Sequence, residues 1–138
     1  MPKLRWDSCL ETGIQEIDWE HRRLINIANR LLEAMAKGRG ELVLQPVVRD
    51  LTRHAEEHFD SEEKFMRDMG FPEVEAHAQE HRRMRAQLDQ YIAALQSDSP
   101  PGAKELAALL SHWLLDHILK IDKVYAIFSR KRTGKGAC

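Results

Sequence analysis

Apolar residues recur every three or four positions along most of the chain. No segment holds a period of two, so the pattern predicts helices and no sheet. Turn residues divide it. Asp18 is placed to cap a first helix running through Lys37, with Gly38 and Gly40 ending it. A second helix is expected from near Glu41 to Met69, stopped by Gly70, with Pro46 tolerable only near its first turn. Pro72 would open a third helix, which fades after Leu95 into QSDSPPG. A fourth follows Gly102 and ends near Ser129. Four helices joined by short loops predict an all-α, antiparallel up-down-up-down four-helix bundle. The expected organisation is one domain over residues 1–138: an N-terminal arm (1–17), the bundle (18–130) and a basic tail (131–138).

The inner seams follow from the same periodicity. The first helix gives His21, Leu24, Ala28, Leu31 and Met35. The second gives Leu44, Val48, Leu51, Ala55, His58, Glu62, Phe65 and Met69. The third gives Val74, His77, His81, Met84, Leu88, Tyr91 and Leu95, and the fourth Leu106, Leu110, Trp113, His117, Ile121, Val124 and Phe128. These steps of four and three face a bundle core. Each seam is apolar except for five histidines and Glu62. Alternating helix direction brings those polar residues towards one end of the bundle. A single histidine on such a face is ordinarily a packed core residue. Five of them with a carboxylate in a dry core point to metal.

Imidazole and carboxylate ligands without thiolate suit iron, zinc, manganese or copper. Five imidazoles exceed what one tetrahedral zinc takes, so two metals bridged by carboxylates fit better. Glu62 is one bridge candidate and Asp122 the other. No glutamate stands three residues before a histidine, which disfavours the ferritin-like diiron pattern. Helical geometry puts Asp122 about 140° from His117, so a π-type widening or a reaching rotamer is needed there.

Composition adds exclusions. With 21 basic and 22 acidic residues, nothing calls for nucleic acid or an acidic lipid surface. There is no apolar run long enough for a membrane span. The N-terminal stretch MPKLRWDSCLETG lacks the apolar core of a signal peptide, and Cys9 and Cys138 do not make a disulfide framework. A reducing cytoplasm is therefore the expected location. The tail Arg130, Lys131, Arg132 and Lys135 reads as a solvated terminus first and a docking segment second.

The chain resembles the hemerythrin family in its bacterial single-domain form, bacteriohemerythrin. The resemblance rests on WDSCLETGIQEIDWEH (6–21) followed by LINIANRL, then HFDSEEKFM (58–66), HAQEH (77–81) and WLLDHILKIDKVY (113–125). It covers residues from about 4 to 130 and implies reversible dioxygen binding at a non-haem, oxo- or hydroxo-bridged pair of iron ions, for oxygen carriage, storage or sensing. His77, His81 and His117 would hold one iron, His21 and His58 the other, and Glu62 and Asp122 would bridge them. The second iron would keep an open position. Trp113, Leu114 and Ile118 would line the oxygen pocket. An oxygen-using or signalling protein could read the iron state.

His54 departs from the family, which usually has tyrosine there. It lies about 40° from His58 on the helical wheel and is expected to face inward. It would serve as a packing or supporting histidine, or as a proton donor or spare ligand near the open iron. The second role would favour a diiron oxidase or peroxide-scavenging enzyme on the same fold. His112, about 140° from His117, is expected to face solvent. HAEEH and HAQEH also match the inverted zinc-protease pattern, but Glu57 and Glu80 would point towards solvent.

Overall fold

The computed structural model describes residues 4–6 and 11–117. Four helices follow one another as α1 (Gln15–Ala36), α2 (Gly40–Asp68), α3 (Val74–Ala94) and α4 (Ala103–Asp116), with no strand among the described residues. They form the antiparallel four-helix bundle expected from the sequence. α2 is central to the described packing: α1, α3 and α4 all lie against it, and α1 also packs on α4.

Several boundaries differ from the expected ones. α1 begins three residues before Asp18, at Gln15, after an extended Ile14. Asp18 instead reaches back, and its carboxylate accepts hydrogen bonds from Thr12 N (2.7 Å), Thr12 Oγ1 (2.8 Å) and Gly13 N (3.2 Å). It therefore fastens the incoming arm rather than capping the helix. The arm also docks on α1 through Asn29, whose side chain bonds both N and O of Leu4, at 2.7 and 2.8 Å. Gly40 does not end α1; it is the first, buried residue of α2. A Cβ there would stand 2.7 Å from Met35 Cγ and 3.0 Å from Ala103 Cβ, so only glycine fits without a shift. Pro46 sits in the second turn of α2 rather than the first, and Pro72 precedes α3 without belonging to it.

The seams are buried as expected over most of their length. They fail at the ends. Phe65 and Met69 are only half-buried, and Met66 takes the fully buried place after Glu62. A helix of 3.6 residues per turn drifts against a strict 3.5 repeat, so the buried position moves by one residue near the end of a long helix. Ile121, Val124, Phe128 and the expected end of the fourth helix lie outside the described residues.

The apolar core is divided in two. The larger cluster runs from Leu24 and Leu51 through Leu88 to Leu106 and Trp113. A smaller one, Ile17, Met66 and Phe71 with Ile14, Phe65, Met69 and Val74 around it, closes the other end. Ile17 stands one turn before His21, and Met66 one turn after Glu62. The polar residues thus lie between two apolar layers. The end of the bundle far from them is tied by hydrogen bonds: Ala103 N donates to Glu41 Oε1 (2.8 Å), Gly102 N to Glu105 Oε2 (2.8 Å) and Tyr91 OH to Gly102 O (2.9 Å).

Candidate metal centre

His21, His58, Glu62, His77, His81 and His117 are all buried, the most exposed at 5%. Glu62 stands at their centre. Its Oε1 lies 3.1 Å from His77 Nε2, 2.8 Å from His81 Nε2 and 3.4 Å from His117 Nε2. Its Oε2 lies 3.3 Å from His21 Nε2 and 3.2 Å from His58 Nε2. One carboxylate therefore divides five imidazoles into a group of three and a group of two. The rings are in contact: His21 meets His58 edge-on at 4.5 Å, and His77 lies 4.8 Å from His81 and 5.1 Å from His117.

Two further carboxylates hold the imidazoles from behind. His58 Nδ1 donates to Glu20 Oε1 at 2.8 Å, and His81 Nδ1 donates to Glu63 Oε2 at 2.9 Å. A neutral imidazole that donates its Nδ1–H to a carboxylate turns a lone pair on Nε2 towards Glu62. Lone pairs facing one another in a dry core repel unless a cation sits between them. Ligands about 2.1 Å from one metal and at right angles to each other are about 3 Å apart. The Nε2–carboxylate separations have that spacing. Two groups, Glu62 with His77, His81 and His117, and Glu62 with His21 and His58, could each hold a metal ion, and the donor set fits two. Without metal, protons on the imidazoles can take the cation's place: burial pushes the Glu62 carboxyl up, but protonated His58 and hydrogen bonds from the surrounding histidines outweigh it and hold the carboxyl well below the usual carboxylate range.

Phe59 supports the cluster and does not stand out in the sequence. It is buried, stacks on His81 with ring centroids 4.2 Å apart at 16°, and meets Trp113 edge-on at 6.2 Å. Glu20 and Glu63 were missed too. Their signal was faint: each is an acidic residue directly beside a seam residue, His21 and Glu62. Trp113 and Leu114 are buried. Trp113, Met84 and His117 line a cleft of about 280 Å³ between α3 and α4, with Arg83, Gln87 and His112 at more exposed positions around it. The backbone takes a wider, π-type turn at His117. Asp122 and Ile118 lie outside the described residues.

His54 is not with the cluster. It is half-buried at the α1–α2 edge, where Arg23 Nη2 donates to its Nε2 at 2.8 Å, and Arg53 Nη2 lies 3.4 Å away. The side chain turns inward as the wheel expected, only 12% exposed, but Arg23 donates to the imidazole lone pair and holds the ring at the α1–α2 interface, apart from the cluster. His112 is exposed, as expected.

A bundle of four helices around a buried, carboxylate-centred histidine cluster defines a class of metal-binding protein, and the comparisons agree. The hemerythrin HHE cation-binding domain matches residues 12–126. The bacteriohemerythrin of Pseudomonas aeruginosa (strain LESB58) is 34% identical over 125 residues, covering 91% of this chain and 80% of that protein. That of Stenotrophomonas maltophilia (strain R551-3) is 32% identical over 126 residues, covering 91% and 81%. That of Clostridium acetobutylicum is 28% identical over 125 residues, covering 87% and 96%. The chain belongs to the hemerythrin family. No helix among the described residues is long and apolar enough to cross a membrane.

Proposed function

We propose that the protein binds dioxygen reversibly at a pair of non-haem iron ions. The observation that carries this reading is the division of Nε2 atoms over one buried carboxylate, three on Oε1 and two on Oε2. His77, His81 and His117 would hold one iron, His21 and His58 the other. Glu62 would bridge them, with Asp122 as the second bridge proposed from the sequence motif. When bound, such a pair supplies a reversible two-electron exchange with dioxygen. The unequal division leaves the His21–His58 side with one protein ligand fewer, which is where an exogenous molecule would bind.

The chain's own residues do the rest. Ile17, Met66 and Phe71 pack on one side of the layer and Phe59 with Trp113 on the other, and the histidines and Glu62 between them are at most 5% exposed. Water exclusion protects a reversible carrier against hydrolytic side reactions. Glu20 and Glu63 hold protons at His58 Nδ1 and His81 Nδ1 and fix which nitrogen faces inward. The reading is of a binding protein rather than an enzyme. The sequence hint towards an oxidase or peroxide-scavenging enzyme was His54, and its pairing with Arg23 removes that support.

The test combines iron content with an optical spectrum. The iron-loaded protein is reduced without oxygen, exposed to oxygen, then stripped of it. Two irons per chain and a visible band that forms with oxygen and is lost on its removal are expected. Two irons that oxidise irreversibly without such a band would overturn reversible binding in favour of an oxidase.

A further inference from the structure

Two carboxylates outside the inner ring contact the candidate ligands, and they do so in a regular way. Glu20, on α1, accepts a hydrogen bond from Nδ1 of His58 on α2. Glu63, on α2, accepts one from Nδ1 of His81 on α3. Each reaches across to a neighbouring helix. Each serves a different group, Glu20 the pair His21–His58 and Glu63 the trio His77–His81–His117. Both are largely withdrawn from water, with side chains 13% and 18% exposed. They differ in one respect: Glu63 also lies 3.5 Å from Arg67 Nη2, which shares its charge.

From this we infer that Glu20 and Glu63 are positioning residues for two separate metal positions, and that Glu20 governs how firmly the two-histidine position keeps its metal. The inference rests on the two-metal reading above. A carboxylate behind a ligating imidazole fixes its tautomer and raises its basicity. On the two-histidine side Glu20 supports half of the imidazoles; on the other side Glu63 supports one of three. Removing Glu20 therefore weakens the position that has the fewest ligands.

The protein and its variants are loaded with Fe(II) without oxygen, challenged with rising chelator, and assayed for iron per chain. In the metal-free proteins, ¹⁵N NMR reads which nitrogen of each histidine carries the proton. The unaltered protein is expected to keep two irons. Glu20→Ala should release one of them at a chelator strength corresponding to roughly 10- to 100-fold weaker binding. Glu63→Ala should show a smaller effect, and the double variant should weaken both irons. Glu20→Gln, nearly the same shape and able to accept the same hydrogen bond through its amide oxygen, should recover part of the loss and keep His58 protonated at Nδ1. It also answers the question should the alanine variant fold poorly. Release of both irons from Glu20→Ala and Glu20→Gln at the wild-type chelator strength, with an unchanged His58 tautomer, would overturn the positioning role. An unaltered protein that holds fewer than two irons would overturn the two-metal reading and this one together.

Discussion

At His54 the surroundings decide the protonation state. Burial lowers its readiness to take a proton, and the positive charges of Arg23 and Arg53 lower it further, against weaker opposition from Glu57 and Asp50. The folded protein thus binds this proton less readily than the unfolded chain, whose ordinary value is 6.5. The stabilising contribution is complete above that value and is lost as pH falls below it towards the lowered folded value. His54→Gln, which can still accept from Arg23 but cannot titrate, should flatten the acid side of the stability profile. Urea unfolding at neutral and at mildly acidic pH checks this. Equal acid sensitivity in variant and parent would mean that other groups carry it. The wheel placed His54 within reach of the core but could not show Arg23, because a partner on another helix is invisible to local periodicity. Glu20, Glu63 and Phe59 escaped for a related reason. Each lies one place off a seam, and only the packed helices show that it touches His58 or His81. The ligand candidates were legible because burial of five imidazoles on four seams has so few explanations.

Among the elements, α2 strains the rules most. It runs unbroken for 29 residues with Pro46 as its seventh. Proline there has no N–H for the carbonyl of Leu42, four residues back. The breach is tolerable because Pro46 is exposed and Leu42 is 78% exposed, so water can reach the orphaned carbonyl. Pro46→Ala restores the missing donor and a better helix former, while freeing the unfolded chain. The net expectation is a gain of about 1–2 kcal/mol. It should be read as a higher urea midpoint with an unchanged slope. A lower midpoint would show that the proline's rigidity contributes more than its lost hydrogen bond costs. The sequence placed the body of α2 correctly and its buried positions up to Glu62. It erred at both ends, where Gly40 packs against Met35 and Ala103 and where the drift of the helix exchanges Phe65 for Met66.

Across the whole molecule the two ends are held by different means. The far end is closed by backbone hydrogen bonds to Glu41, Glu105 and Tyr91 and needs no ligand; burial beside Glu41 and Glu105 pushes the Tyr91 hydroxyl up to about 12, so it stays a donor. The other end encloses five imidazoles around one carboxylate, an arrangement that favours a cation. Ligand binding to the folded state stabilises it by mass action, but the gain need not be spread evenly. Without metal, local opening is expected first at the start of α1, the end of α2 and the start of α3, where the imidazoles face one another. Iron or zinc loading should therefore slow amide hydrogen exchange most over residues 17–21, 58–66 and 77–81. Exchange over 40–44, 88–95 and 103–106 should change far less. A uniform slowing along all four helices would mean instead that the metal-free bundle opens only as a whole, and that the far end depends on the metal as much as the near one.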